Sequence, residues 1–133
     1  MYPKSAQTKK KPKKKKRKKL LPLPKLLAKT QAAVNKFVRE RDKHLSCISC
    51  RGKMTQAGHF IAQGSSSFLR FHEDNINGQC GSCNRFKGGN IVEYRIALVN
   101  KIGSERVKYL EDNRRVVKRW KRWELEQILE DLK

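Results

Sequence analysis

Residues 47–90 read CISCRGKMTQAGHFIAQGSSSFLRFHEDNINGQCGSCNRFKGGN, and they hold all four cysteines of the 133-residue chain. Cys47 and Cys50 make one Cys-x-x-Cys pair, and Cys80 and Cys83 make a second. Each pair presents two sulfurs from a tight turn, so two such knuckles supply the four soft ligands of a closed tetrahedral zinc site. Disulfides or free thiols are the alternatives. The paired spacing within one stretch, in a chain with no mark of secretion, points instead to structural Zn2+.

Residues 51–79 separate the knuckles, longer than the insert of a plain zinc ribbon, so the metal closes a loop that carries something else. Inside that loop AGHFIA (57–62) and SFLRFH (67–72) read as short strands, with Gly64-Ser65-Ser66-Ser67 as the turn between them. A helix is expected to start near Cys83 or Asn84 and run through NIVEYRIALVNKI, with Ile91, Tyr94, Leu98 and Ile102 on one stripe. Knuckle, strand, strand, knuckle, helix is an α+β arrangement.

Outward from this core, a helix is expected from Thr30 as N-cap, with Ala33, Val34, Phe37, Val38 and Arg41 along one side, a stripe that packs on the core or, as the alternative, binds a partner. After Gly103 two more helices are expected, one capped by Ser104 with Val107 and Leu110 inward, the other repeating Leu125, Ile128, Leu129 and Leu132. Between them RRVVKRWKRW sets Trp120 and Trp123 among cations. Such tryptophans serve as core anchors or, with the basic residues, as a nucleic-acid surface. The boundaries are then a tail over 1–29 and one domain over 30–133, its core at about 46–102 and its C-terminal helices at 104–133. A hydrophobic content of 37% is thin for a core, and a structural metal would offset that thinness.

Net charge is +21, from 33 Lys and Arg against 12 Asp and Glu. Residues 1–29 carry 13 of those cations and no acid, which leaves +8 on the remainder. The run KKKPKKKKRKK (9–19) repels itself and has no apolar surface to bury, so it is expected to be disordered when free. It suits a nucleic-acid arm; an import signal or plain solubilising charge are the other readings. LLPLPKLLA (20–28) is too short and too broken by proline and lysine for a signal peptide. No stretch is long enough to span a membrane.

The pieces QAAVNKFVRERD, CISC, AGHF, LRF, NINGQC, CNRFKGGN and EYRIALVNKIG resemble the phage lambda NinG/Rap recombination endonucleases, over Thr30 to about Gly103. More broadly, His59 on the first strand, Asn75 before Cys80 and Asn84 after Cys83 resemble the HNH, or ββα-metal, nucleases, as an HNN variant. The paired knuckles followed by Asn84 are also similar to phage resolvases of the endonuclease VII type. The resemblance implies a zinc-stapled ββα-metal core with flanking helices. Its implied function is a metal-dependent DNA endonuclease cutting branched recombination intermediates such as Holliday junctions or D-loops. It further implies a homodimer, encoded by a phage or prophage and working in the bacterial cytoplasm.

Within that resemblance His59 is the general base: a neutral imidazole, of ordinary pKa about 6.5, takes a proton from the attacking water. A histidine merely satisfied in a sheet is the alternative. Asn84 is the expected ligand of a catalytic Mg2+ or Mn2+ through its side-chain carbonyl, with helix capping as its other role. Asn75 is implied to hold the loop beneath His59. Arg70, Arg85 and Lys87 are expected around the site as phosphate contacts, or else as a solvated face. The pattern departs from many HNH enzymes at Gly58, where an acidic ion ligand often stands. Glu73, Asp74 and Glu93 are the nearby carboxylates that could complete the shell, and His72 is a further candidate. Two other functions stay open: an HNH nuclease of homing or restriction type on linear duplex, and a noncatalytic zinc module that binds DNA.

Overall fold

The computed structural model describes residues 19–133, so most of the basic run read above as a disordered arm lies outside the described residues. The first helix, α1 (Leu23–Arg41), leads into the first knuckle. Strand β1 (Gln56–His59) pairs antiparallel with β2 (Ile76–Gln79), in a register that sets Ala57 opposite Gly78 and His59 opposite Ile76. After the second knuckle come α2 (Ile91–Ile102), α3 (Ser104–Asp112) and α4 (Arg122–Asp131).

The two-stranded ribbon divides the core because successive side chains of a strand face opposite ways. Ala57 and Ile76 point to one side, where they meet Leu26, Val34 and Val38 of α1, Phe71 and Leu125 of α4. Asn77 and Gln79 point to the other, towards α2 and the segment before it. There Phe60 and Leu69 join Tyr94, Leu98, Val107 and Leu110 in a second cluster that binds α2 to α3. The predicted leucine stripe of α4 is therefore spent inside the chain: Leu125 is buried, and Ile128, Leu129 and Leu132 pack against the α1 side.

Several expectations are corrected. Helix α1 begins at Leu23, inside the stretch assigned to the tail, because Pro24 in the first turn needs no N–H partner and Leu26 finds a core to enter. Thr30 is then interior, its hydroxyl donating to the Leu26 carbonyl at 2.8 Å, and does not cap. The second strand is Ile76–Gln79, not 67–72. Residues 66–72 instead coil through successive turns, in which the buried Ser66 hydroxyl donates to the carbonyls of Asn113 and Val116. That coil sends Leu69 to one cluster and Phe71 to the other. The helix expected from Cys83 is broken in two: one wide turn at Ser82–Phe86, then positive φ at Gly88, Gly89 and Asn90, then α2. At the start of α3 the side chain of Ser104 makes no cap.

Candidate functional site

The knuckles bring Cys47, Cys50, Cys80 and Cys83 together with all four sulfurs within 4.8 Å of one another and Cys50 Sγ 3.6 Å from Cys80 Sγ. Tetrahedral coordination with Zn–S near 2.3 Å asks for sulfurs about 3.8 Å apart. Turn N–H groups aim at these sulfurs, Gly52 N at Cys50 and Cys83 N at Cys80, each 3.4 Å away, and Asn90 Nδ2 lies 3.6 Å from Cys83 Sγ. Such donors favour thiolates. The Cys83 N–H draws the Cys80 thiol down to about 7, whereas burial pushes Cys83 up to about 12. The cluster can hold a metal such as zinc, whose charge would offset the burial cost of the Cys83 thiolate.

His59 closes β1. Its Nε2 lies 2.9 Å from the carbonyl of Arg70. A carbonyl only accepts, so Nε2 carries the proton and Nδ1 keeps its lone pair. Burial lowers the pKa of the imidazole; the Arg70 carbonyl works against that shift and the Arg70 charge adds to it. The ring is therefore neutral at pH 7.

Asn75 fixes this geometry from below and is fully buried. Its Oδ1 accepts from Ile61 N at 2.8 Å, and its Nδ2 donates to the carbonyls of Ile61 at 2.9 Å and Leu69 at 3.2 Å. One side chain thus ties the chain just after His59 to the chain just before Arg70. Tyr94 does the same for the preceding residue: its buried hydroxyl donates to the Gly58 carbonyl at 2.7 Å and accepts from Asn77 Nδ2 at 3.1 Å. The helical stripe marked Tyr94 as core; its hydroxyl, which needs a partner once buried, was the signal of a second role.

A cleft of about 440 Å3 opens along β1, lined by His59, Ala57, Asn84, Gly88 and Gly89, with Gln31 and Asn35 of α1 forming the opposite wall. His59 and Asn84 thus share one cavity. Asn84 sits within the Ser82–Phe86 turn, where its Nδ2 donates to Gln56 Oε1 at 2.9 Å, so it caps no helix. The Arg70 guanidinium is tethered to Gln31 Oε1 at 3.1 Å and lies over the Phe71 ring. Arg85 and Lys87 are exposed beside the cleft without lining it.

The acidic candidates are elsewhere. Asp74 pairs with Arg106, Glu73 and Glu93 are exposed, and among the described residues no carboxylate lines the cleft. His72 accepts from Asp74 N and packs on Tyr109, away from His59. One oxygen near the cleft is unusual: Gln79 Oε1 is the buried side-chain polar atom left without a hydrogen-bond partner among the described residues. Nothing in the sequence singled out Gln79.

A second hollow of about 570 Å3 shares Ala62 with the cleft and is lined by Arg114 and Arg115, which make no ion pair among the described residues. The basic strap that carries them is laced down by Lys118 N to Ser67 Oγ at 2.7 Å and by Trp120 Nε1 to Ser67 O at 2.8 Å. Trp120 is the anchor, edge-on to Phe71, while Trp123 stays 65% exposed. The larger groove between α1 and α4, about 710 Å3, contains none of the residues singled out from sequence as catalytic or metal-binding.

Among the described residues no helix is long and apolar enough to cross a membrane. Comparison with known proteins adds identity. Protein ninG of Escherichia phage 933W is 47% identical over 91 residues, covering 65% of this chain and 45% of that protein. Protein ninG of Escherichia phage lambda is 46% identical over 91 residues, covering 65% and 44%, and that of Salmonella phage P22 is 44% identical over the same length, also covering 65% and 44%. The chain therefore spans under half the length of these curated relatives. No solved structure matches it. A family model described as Bacteriophage Lambda NinG protein matches residues 2–133, and the chain belongs to the NinG family.

Proposed function

We propose that this NinG-family chain is a metal-dependent DNA endonuclease of ββα-metal type, hydrolysing phosphodiesters in branched recombination intermediates. The observation that carries the proposal is His59: a neutral imidazole with its proton parked on a backbone carbonyl and its other nitrogen free, at the wall of a cleft that also holds Asn84. The order β1, β2, helical segment, stapled by the four cysteines, agrees with the resemblance read from the sequence. The branched substrate rests on that resemblance alone.

In this mechanism His59 Nδ1 accepts a proton from water as the water attacks phosphorus. Asn75 and Tyr94 keep the imidazole at a fixed height by holding Ile61 and Gly58. Asn84 offers a neutral oxygen, a donor type that fits a hard divalent cation such as Mg2+ or Mn2+. When bound, such an ion stabilises charge on the phosphoryl oxygens and the departing 3′ oxygen. Arg85, Lys87, Arg114 and Arg115 provide cations near the cleft for the flanking phosphates. Two coordinated cuts need two sites, so a homodimer is part of the proposal. The exposed Val92 and Ile96, one turn apart on α2, are among the apolar residues available for it, as are Phe37, Leu129 and Leu132 along the groove between α1 and α4. A monomer by light scattering, with and without DNA, removes that part.

The deciding experiment is cleavage of a labelled four-way junction beside a linear duplex of the same arms, with Mg2+ or Mn2+, by wild type and His59→Ala. Junction cutting that disappears in the mutant while zinc content and DNA binding persist is the expected result. Cutting of linear duplex alone assigns a restriction-like nuclease. No cutting by folded, zinc-loaded wild type leaves a DNA-binding zinc module.

A further inference from the structure

Position 58 raises a chemical question for the proposed nuclease: an ion held by Asn84 alone would be weakly bound, and no carboxylate lines the cleft among the described residues. The geometry around Gly58 offers an answer. A Cβ built on Gly58 would fall 1.8 Å from Gln79 Oε1 and 3.0 Å from Asn84 Oδ1. Both carbonyl oxygens therefore lie within 3.0 Å of the same point, which is where the side chain of residue 58 would begin. The register explains the approach, since Gly58 faces Asn77 and Gln79 lies diagonally beyond it on the same side of the ribbon.

The orientation of the Gln79 amide is fixed by its other end. Nε2 donates to Gly89 O at 2.7 Å and to Ser49 Oγ at 2.8 Å. Gly89 O can only accept, so the nitrogen must sit there and the oxygen must turn towards Gly58. Gln79 is fully buried, and Oε1 has no donor. An amide oxygen buried without a partner costs roughly 1–3 kcal/mol. Two acceptors converging with no donor between them are a site for a cation, and neutral amide oxygens with phosphate oxygens and water suit Mg2+ or Mn2+.

Resting on the nuclease reading, we propose that Gln79 Oε1 supplies the second protein oxygen of the catalytic divalent-cation site, in the place a side chain at position 58 would otherwise fill. Position 58 is glycine because any Cβ there would displace that oxygen. With no carboxylate in the shell, the site draws its negative charge from DNA phosphate. Cation and DNA therefore bind together, each strengthening the other.

The test is Mn2+ binding followed by electron paramagnetic resonance, in a His59→Ala background so that a four-way junction stays intact, with zinc content and melting temperature measured on every variant. Gly58→Ala is the sharper substitution: Gly58 has no left-handed φ to forbid a side chain, and the change displaces Oε1 without deleting the Nε2 that bonds Ser49 and Gly89. Gly58→Ala and Gln79→Ala are each expected to weaken Mn2+ binding about tenfold or more. The pair Gln79→Ala with Gly58→Asp is expected to restore it, now with a fall in affinity at acid pH as the new carboxylate protonates. Mn2+ binding that is lost in Asn84→Ala but unchanged in both Gly58→Ala and Gln79→Ala overturns the Gln79 assignment and leaves the nuclease reading standing. No Mn2+ binding to the folded, DNA-bound protein overturns both.

Discussion

The proton on His59 is placed by a backbone carbonyl, and that placement depends on Asn75. With Nε2–H donated to Arg70 O, Nδ1 is the basic atom, and burial keeps the folded-state pKa below its ordinary value of about 6.5. The folded protein therefore resists protonating this ring more than the unfolded chain does. Stability from His59 is complete above about pH 6.5 and is lost as pH falls through the lower folded value. The same shift predicts that cleavage rate keeps its plateau below pH 6.5 and falls only on a more acidic limb, which a pH–rate profile at saturating Mg2+ checks. Asn75→Ala strands Ile61 N–H and releases two carbonyls. It is expected to cost about 3 kcal/mol in urea unfolding and to reduce cleavage with it.

At the scale of elements, the knuckles and one acidic residue decide how strands and helices meet. Cys50→Ser removes an exposed ligand without disturbing the buried Cys47 and Cys83. Loss of bound metal and a large drop in melting temperature are expected, because zinc supplies roughly 10–16 kcal/mol in small domains. A melting curve indifferent to chelator argues against a metal-stapled core. Asp42, 2% exposed, follows α1 and joins three elements through Arg41, the Gly78 N–H of β2 and Lys101 of α2. Burial alone would raise its pKa, but the Arg41 hydrogen bonds, the Gly78 N–H and the Lys101 charge outweigh it and hold the carboxyl below its ordinary range. Its stabilisation is thus present above about pH 3.9 and is lost as pH falls through the lower folded value. Asp42→Asn is expected to cost roughly 2 kcal/mol at pH 7, less than a fully buried pair since Arg41 and Lys101 keep some water. It should also flatten the acid limb of the stability curve. Equal acid sensitivity in mutant and wild type would show that other groups control it.

Across the whole molecule, charge is what would govern the approach of the proposed DNA substrate. Removing residues 1–18 takes away ten lysines and arginines. Each phosphate no longer neutralised should lower the slope of log affinity against log salt by about 0.9. The truncated chain is expected to bind DNA more weakly at 50 mM salt, with a shallower slope and unchanged zinc content. Fluorescence anisotropy over a salt series measures it. An unchanged slope would assign the run to solubility or to another partner. On the proposed function, the strap at Arg114 and Arg115 is expected to contribute to that slope by itself, a part that should survive the truncation.

The cysteine spacing was enough to announce a four-sulfur cluster, because two Cys-x-x-Cys turns leave their ligands few other ways to be used. The helices were legible wherever apolar residues recur at helical spacing, as in Tyr94 with Leu98 and Val107 with Leu110. His59, Asn75 and Asn84 stood out by their place between and after the knuckles. Tertiary structure alone decided β2, whose sequence INGQ has no alternation of apolar and polar residues. Its polar side chains are buried because Tyr94, Lys101, Ser49 and Gly89 meet them from distant parts of the chain. It also decided that SFLRFH would coil although LRFH alternates apolar with polar: the Ser66 hydroxyl accepts from Leu69 N–H, and the basic strap pairs with Phe68 N–H and the Ser67 hydroxyl. Side-chain pattern reports which residues prefer burial. Which buried polar groups find partners, and which oxygen of Gln79 is left without one, depends on contacts between residues far apart in sequence.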